Sequence, residues 1–470
     1  MNHNSIFNVQ KPTICSVNSP YDNSHIGSVV ITEKDDVDTV IKNATYGSSI
    51  SAMLTRAERS DILLRVADKI KNQAEKFAIT ISREAGKTLT QARKEVARCV
   101  NTLRLSAEEA KRLTGEIIPF DSYVGSENRF GYFTYEPLGI ILAITPFNDP
   151  LNLVAHKIGP AIAAGNSLIL KPSLLAPLSS QGLVEAFWDA GLPRDILQIA
   201  HGDADLASEL VARKEIRMIT FTGGAKTGET ITRTAGLKKI AMDLGGNAPV
   251  IVMPDCDLLD AAESCVSGAF WAAGQNCIGT QRIFVAKAIF EQFSKCMVEI
   301  TERMVIGNPM LDTTDMGPMI TEDQAIRVKC WVDSAVQEGA IVLTGNVREG
   351  AVYHPTILTN VPCNSLVWKE EIFAPVVSLV PFENIEEAIA EANNVESSLH
   401  AAIFTNNLEI AMMVSEKLEA GGVMINDSSD YRFDGMPFGG FKYGSLGREG
   451  VKFSVHEMSQ PKVVCFRRPV

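Results

Sequence analysis

The stretch GIILAITPFNDP, residues 139–150, decides the fold of this chain. Its first six residues form an apolar run, which is typical of a strand buried on both faces of a parallel sheet. The Pro-bounded segment 145–150 is typical of a loop directly after such a strand. Because α/β enzymes place ligands at the carboxyl ends of parallel strands, this stretch predicts an α/β fold and a candidate site at Asn148.

Further apolar runs alternate with amphipathic helical patterns along most of the chain. Short buried strands are predicted at residues 167–170, 218–221, 249–252 and 282–285. Helices are predicted from about residue 56 to 75 and from about 88 to 111, where apolar residues recur at spacings of three and four. The alternation predicts layered α/β architecture.

Two aromatic runs interrupt this pattern. Residues 117–120 and 130–135 enclose the polar turn 124–128 and predict a β-hairpin, with 462–466 as a possible third strand. Exposed apolar strands invite pairing with another chain, so one interpretation is an oligomerisation arm. An ordinary sheet hairpin is the alternative.

Length and charge limit what the chain can be. Its 470 residues are enough for several packed layers in more than one domain. The 44 basic and 56 acidic residues give a net charge of -12, which opposes binding to a phosphate backbone. We therefore expect no nucleic-acid partner.

Targeting and cysteine patterns point to the cytoplasm. Residues 1–20 lack the basic start and apolar run of a secretory signal, and the run 138–144 is far shorter than the roughly 20 residues that cross a bilayer. Nine cysteines are scattered without a CxxC pair or a His/Cys cluster. This pattern predicts free thiols and no metal site. We expect a cytoplasmic protein with no membrane partner.

The segment GQNCIGT, residues 274–280, places Cys277 among small residues just before a predicted strand. A thiol in such a loop can reach a substrate, but reactivity requires a thiolate and therefore help from a base or from backbone dipoles. Taken alone, this segment favours a buried structural thiol, the usual role of a free cysteine.

Other segments offer groups that complement a reactive thiol. Asn148 can donate its side-chain N–H to an oxyanion, although a turn asparagine is the commoner role. Residues 221–228 follow a strand and open a helix, which suits a pyrophosphate at a helix N-terminus. Residues 170–173 and 242–247 also have the composition of cofactor contacts.

These segments, together with EIFAP at 371–375 and MPFGG at 436–440, resemble the aldehyde dehydrogenase superfamily in order and spacing. The resemblance extends from about residue 20 to the C-terminus. It implies a Rossmann-type NAD(P)-binding domain (1–115 and 136–243), a catalytic α/β domain (244–450) and a β oligomerisation arm (116–135 and 451–470). It also implies a homodimer or homotetramer.

The resemblance assigns roles to individual residues. Cys277 would attack the aldehyde carbon, Asn148 would hold the oxyanion and Asp243 would be the general base. The implied cofactor-binding residues are Thr145, Pro146, Phe147, Lys171, Ser173, Gly223, Gly224, Gly228, Leu244, Glu371 and Phe373. NAD is the expected cofactor, with NADP possible because Leu174 stands where NAD-preferring relatives often have a glutamate.

Asp243 departs from the usual glutamate of the resembled family by one methylene. It could act through a repositioned water or act less efficiently, or the thioester could be passed to coenzyme A instead. A base that activates water has no evident purpose in such a transferase, which favours hydrolysis. The remaining alternative is an aspartate that merely caps the turn at Leu244.

The substrate-side segments resemble the lactaldehyde and phosphonoacetaldehyde dehydrogenase branch. By that resemblance Arg104, His156 and Arg432 match residues of an anion pocket, while Asn276 stands where those enzymes have an arginine. Arg432 can present a planar fork to an acidic group. His156 could instead be a core histidine and Arg104 a solvated helix charge.

We therefore expect oxidation of a small aldehyde that bears a phosphonate, sulfonate or carboxylate. A coenzyme A-acylating enzyme and a lactaldehyde- or semialdehyde-type dehydrogenase remain alternatives. A catalytically silent structural relative is the non-enzymatic alternative, but such a protein would be expected to have lost Cys277 or Asn148.

Overall fold

Two mainly parallel β-sheets form the framework of the protein in the computed structural model, which describes residues 12–469. Residues 1–11 of the segment interpreted as non-secretory lie outside the described residues, as does Val470. In the described chain no helix combines the length and apolarity needed to cross a bilayer.

The strands are numbered in chain order. They are β1 (Ile14–Asn18), β2 (His25–Val30), β3 (Glu116–Ile118), β4 (Arg129–Pro137), β5 (Ile140–Ile144), β6 (Ser167–Lys171), β7 (Leu197–Ile199), β8 (Ile216–Gly223), β9 (Lys239–Leu244), β10 (Ala248–Val252), β11 (Thr280–Ala286), β12 (Ile341–Thr344), β13 (Arg348–Glu349), β14 (Val352–Tyr353), β15 (Thr356–Thr359), β16 (Val376–Phe382), β17 (His400–Phe404), β18 (Gly422–Ile425) and β19 (Ser459–Arg467).

The α-helices are numbered in the same way. They are α1 (Val37–Met53), α2 (Arg56–Asn72), α3 (Ala74–Ala85), α4 (Leu89–Arg112), α5 (Asn152–Ala163), α6 (Leu178–Asp189), α7 (Ala204–Ala212), α8 (Ala225–Ala235), α9 (Leu258–Phe270), α10 (Phe290–Glu302), α11 (Glu322–Gln337), α12 (Leu366–Lys369), α13 (Ile385–Ala392), α14 (Leu408–Lys417) and α15 (Val451–Glu457).

The apolar run 140–144 forms the central strand of a five-stranded parallel sheet of order β7-β6-β5-β8-β9. All five residues of β5 are buried. Ile141 and Ala143 face the core that contains α2 to α6, whereas Leu142 and Ile144 face the core against α1, α7 and α8. Helices therefore cover both sheet faces, as the unbroken apolar run predicts.

A second sheet of seven strands has the order β12-β15-β16-β11-β10-β17-β18. Its strands are parallel except β12, which pairs antiparallel with β15 at the edge. The strands predicted at 249–252 and 282–285 are β10 and β11, which lie side by side. The prediction of layered α/β architecture is confirmed.

The predicted helix at 56–75 is divided into two. Helix α2 ends at Asn72, Gln73 leaves helical geometry with φ -111° and ψ 21°, and α3 begins at Ala74. The predicted helix at 88–111 is confirmed as α4, whose N-terminus is capped by Thr88. The Thr88 hydroxyl accepts a hydrogen bond from the Gln91 backbone N–H at 3.3 Å, as a capping box requires.

The aromatic hairpin is confirmed as β3 paired antiparallel with β4. The C-terminal strand β19 pairs with the other edge of β4, with Lys462 opposite Thr134. Strand β3 ends at Ile118 rather than at 120, because Pro119 cannot donate to the ladder and a 3₁₀ turn follows. The oligomerisation role of this arm stays a prediction.

The predicted arm segment 451–470 is corrected for its first part. Val451 and Val455, four residues apart on α15, are buried with Met458 in the core shared by α4 and α5. Only β19 extends the arm. The other domain boundaries stay predictions.

Candidate active site

The carboxyl ends of β5, β8 and β9 meet the loop before β11 around one cavity. Its volume is about 210 Å³. It is lined by Pro146, Phe147, Asn148, Thr222, Gly223, Gly224, Asp243, Leu244, Gly245, Cys277, Glu371 and Phe373. The structure thus brings together the three predicted catalytic residues and most of the predicted cofactor contacts.

The backbone before Cys277 is held in an unusual conformation. Ala272 and Ala273 have φ of 50° and 54°, a region that residues with a side chain rarely adopt. At Gly274 an added Cβ would lie 2.0 Å from the Ala374 carbonyl oxygen, so only glycine fits. The Gln275 side chain accepts from the Ile320 N–H at 2.9 Å. Strain retained by such contacts is typical of a functional loop.

The Cys277 thiol needs a base. Burial raises its pKa well above the ordinary range, and the negative charges of Asp243 and Glu371 raise it further, while Arg432 acts to lower it. The thiol is therefore protonated at neutral pH. Formation of the nucleophilic thiolate must be coupled to removal of its proton.

Asp243, next to last in β9, is suited to that task. Within residues 12–469 neither carboxylate oxygen has a hydrogen-bond partner. Burial and the charge of Glu449 raise its pKa to about 7, against the opposing charges of Arg432 and Lys157. A carboxylate with a pKa near neutral pH is an effective general base.

Glu371 and Phe373 form the opposite wall of the cavity. The Glu371 carboxylate accepts from the Gly246 N–H at 3.3 Å. An added Cβ at Gly245 would lie 1.9 Å from the Glu371 Oε2 atom, so the two residues approach closely because Gly245 has no side chain. Burial raises the pKa of Glu371 to about 8. The Phe373 ring packs edge-on against Phe147 with 6.0 Å between centroids.

Ion pairs fix the loop that carries Asn148. The next residue, Asp149, pairs with the Lys87 ammonium and lies 3.4 Å from Arg98 Nη1. Glu95 pairs with Lys87 at 2.8 Å and accepts from the Leu151 N–H, also at 2.8 Å. These contacts place the Asn148 amide at the cavity with little freedom.

Sequence reasoning did not identify these anchoring residues. Glu95 and Arg98 are three apart on α4 and therefore share a helix face, which was the available signal. Lys157 and Glu449 also pair directly, yet they are far apart in sequence and follow no shared pattern.

The predicted substrate residues His156 and Arg432 are buried near this centre. His156 Nε2 lies 2.9 Å from the Asp434 carboxylate, to which Arg98 donates at 2.8 Å. Arg432 donates to Glu449 at 2.9 Å and stacks on the Phe438 ring at 3.8 Å. Burial lowers the pKa of His156, with a further contribution from the Arg432 charge. His156 is therefore neutral.

The structure does not bring Arg104 to the cavity. Its side chain is exposed and pairs with Asp68 of α2 at 3.1 Å. Six residues on a helix correspond to a rotation of about 240° from Arg98, so the two side chains lie on different faces. Arg98 is the arginine of α4 that reaches the Asn148 loop. Asn276 has a local role, because its side-chain oxygen accepts from the Ile278 N–H at 3.3 Å.

Some of the remaining predicted cofactor residues contact other protein groups, whereas others have free space beside them. Thr145 directly follows β5, with its hydroxyl buried and unpaired in the described part of the chain. Ser173 accepts from the Leu175 N–H at 3.2 Å. An added Cβ at Gly228 would lie 2.9 Å from Leu244, so Gly228 lets α8 pack closely on β9.

The open positions fit a dinucleotide. Gly224 is the N-cap of α8, and a Cβ added there would meet nothing within 4 Å, so a ligand can approach the backbone at a helix N-terminus. Lys171 ends β6 and forms no ion pair within residues 12–469. The part of the chain described by the structure contains no cluster of His, Cys, Asp or Glu placed to bind a metal.

A cysteine, an amide and a carboxylate surround one cavity at the strand ends where α/β proteins bind nucleotides, an arrangement that suits oxidation of an aldehyde by a thiol-dependent dehydrogenase. Residues 7–464 match the model of the aldehyde dehydrogenase family, and the chain belongs to this family. It is an enzyme that oxidises aldehydes with NAD or NADP.

Three similar proteins illustrate the match. Aspartate-semialdehyde dehydrogenase 1 of Pseudomonas canavaninivorans is 58% identical over 447 residues, 95% of this chain and 95% of that protein. 3-Sulfolactaldehyde dehydrogenase of Priestia aryabhattai is 41% identical over 94% of this chain and 93% of that protein. The crystal structure of glyceraldehyde-3-phosphate dehydrogenase from Methanocaldococcus jannaschii, complexed with NADP, is 38% identical with a TM-score of 0.94. The match covers 98% of this chain and 100% of that one.

Proposed function

We propose that this enzyme oxidises a small anionic aldehyde to its acid through a thioester on Cys277. The assignment of an anionic substrate rests on Arg432. Its guanidinium is buried, and its charge acts to lower the pKa of both Cys277 and Asp243. Its Nε–H has no acceptor among the described residues. A buried donor without a partner is costly, and the acidic group of a substrate would satisfy it.

The chain's own groups carry out most of the reaction. Asp243 accepts the thiol proton, and the Cys277 thiolate bonds to the aldehyde carbon. The Asn148 amide and the Cys277 backbone N–H hold the resulting oxyanion. When bound, the dinucleotide supplies the hydride acceptor. Asp243 releases the first proton to solvent, takes a proton from the water that hydrolyses the thioester and returns this proton to the departing thiolate, which releases the acid and restores the thiol.

The names of the three similar proteins support an acidic substrate. They act on aldehydes that bear a carboxylate, a sulfonate and a phosphate. The protein with 58% identity is named for aspartate semialdehyde, so we propose carboxylate-bearing semialdehydes as the first substrates to assay. Arg98, rather than Arg104, supplies the second positive charge near the Asn148 loop.

Replacement of Arg432 by Ala tests the substrate class. We expect KM for aspartate semialdehyde to rise on the order of 10²-fold, because a charge-assisted contact contributes about 1.5–3 kcal/mol. Steady-state KM for propanal, a neutral control aldehyde, should change several-fold less. The loss of Arg432 also raises the pKa of Asp243, so kcat should fall similarly for both aldehydes. Equal KM effects on the two would refute the anionic assignment.

The pH dependence of kcat tests Asp243 as the base. Its pKa is raised by burial to about 7, so below that pH the carboxyl is protonated and cannot accept a proton. We expect kcat to rise about tenfold per pH unit on the acid side and to level off above about pH 7. The measurement is kcat from pH 5 to 9 in buffers of constant ionic strength. A profile already level at pH 5 would contradict this assignment.

Hydrolysis, rather than acyl transfer to coenzyme A, follows from the same carboxylate. The Asp243 carboxylate lines the cavity, and its oxygens have no hydrogen-bond partner among the described residues. Such a base can activate a water molecule that takes the acyl group from Cys277. Turnover should therefore be unchanged by added coenzyme A.

We also propose that β3, β4 and β19 join subunits. The side chains of Ile117, Val463 and Phe466 on this three-stranded sheet are exposed. Exposed apolar strands of this kind are typical of association between chains.

A further inference from the structure

A small group of polar side chains lies at the outer end of the five-stranded sheet. Strands β6 and β7 are parallel neighbours, with Leu170 opposite Ile199. The Ala200 N–H donates to the Leu170 carbonyl at 2.8 Å. The next residue on each chain segment is therefore Lys171 on one side and His201 on the other, at the same edge of the sheet.

Asp203 adds a carboxylate to this corner. It is the N-cap of α7, where its Oδ1 atom accepts from the N–H groups of Asp205 and Leu206 at 3.0 and 3.2 Å. Burial lowers the pKa of Lys171, and the negative charge of Asp203 opposes this shift. The N-terminus of α7 is thus already occupied by the protein's own negative charge.

His201 adds a hydrogen-bond acceptor rather than a positive charge. Gln181 donates to Glu185 through its Nε2 atom, so its Oε1 atom is the one that faces His201 Nε2 at 2.9 Å. The ring proton is therefore on Nε2. Nδ1 is left as a buried acceptor that no other described residue contacts. Burial and the Lys171 charge lower the pKa of His201 to about 4, so the ring is neutral.

We propose that Asp203, together with His201, makes this enzyme select NAD over NADP. The adenosine ribose beside Lys171 offers hydroxyl donors to these two acceptors. A 2′-phosphate would instead meet a carboxylate and an uncharged ring. The negative charge that is missing at Leu174 is supplied from the loop between β7 and α7. The inference rests on the family's use of NAD(P) and on the role that the family resemblance implies for Lys171, which is contact with the adenosine ribose.

The test is the affinity of the full-length protein for NAD⁺ and for NADP⁺, measured by isothermal titration calorimetry without aldehyde. We expect the wild type to bind NADP⁺ at least about tenfold more weakly than NAD⁺, the effect of one nearby like charge. Asp203→Asn should tighten NADP⁺ binding about tenfold and leave NAD⁺ binding within about twofold. Asparagine also caps helices well, so α7 should be preserved.

Asp205→Asn is the matched control, since it removes an exposed carboxylate from the first turn of the same helix. It should leave the ratio of the two dissociation constants unchanged. The inference is overturned if the wild type binds both cofactors equally, or if the two variants alter the ratio to the same extent. Because no aldehyde is present, these outcomes do not depend on the proposed substrate.

Discussion

Cys277→Ser should reduce aldehyde oxidation on the order of 10⁴-fold or more, since a serine hydroxyl in this loop is a far weaker nucleophile than a thiolate. The measurement is the initial rate of NADH formation with aspartate semialdehyde. NAD⁺ binding should be unchanged, because the substitution replaces one atom at the cavity wall. Loss of rate with intact binding would separate chemistry from cofactor binding.

The matched control is Cys330→Ser, which alters an exposed thiol on α11. Its rate should equal that of the wild type. If Cys277→Ser retained the wild-type rate, covalent catalysis by this thiol would be excluded.

Asp243→Asn should slow steady-state turnover by about 10²- to 10⁴-fold, the usual contribution of a positioned general base. The first turnover should slow less than deacylation, because the introduced asparagine cannot accept the thiol proton but also no longer opposes ionisation of the thiol. The charge of Asp243 is one cause of the raised pKa of Cys277, so its removal lowers that pKa and favours the thiolate. Stopped-flow absorbance should therefore record a burst of about one NADH per active site, followed by a slow phase.

Asp243→Glu is the control for this variant. It keeps the carboxylate and restores the residue usual in the family, so turnover should remain within about tenfold of the wild type. An Asp243→Asn enzyme that turns over at the wild-type rate would show that another group activates water.

The framework of the fold was predictable because its signals are local. A strand buried on both faces, such as Ile140–Ile144, must be apolar throughout, and this leaves an unbroken run in the sequence. The antiparallel pairing of β4 with β19 could be predicted from their aromatic and β-branched residues. The break at Gln73 was missed because both flanking segments continue the amphipathic pattern.

The site was predictable only in part, because its motifs are local and its charge network is not. Cys277, Asn148 and Asp243 lie in short segments with recognisable neighbours. The pair of Lys157 with Glu449 is created by tertiary packing between distant segments. The motif position indicates Arg104, but tertiary packing turns the α4 face that carries Arg98 towards the Asn148 loop.

A covalent acyl-Cys277 intermediate can be detected by the intact mass of the Asp243→Asn enzyme after mixing with aspartate semialdehyde and NAD⁺ and quenching with acid. We expect a mass increase equal to the acyl group on each subunit, located by peptide mapping on Cys277. NADH formation without any adduct, or an adduct on another residue, would contradict it.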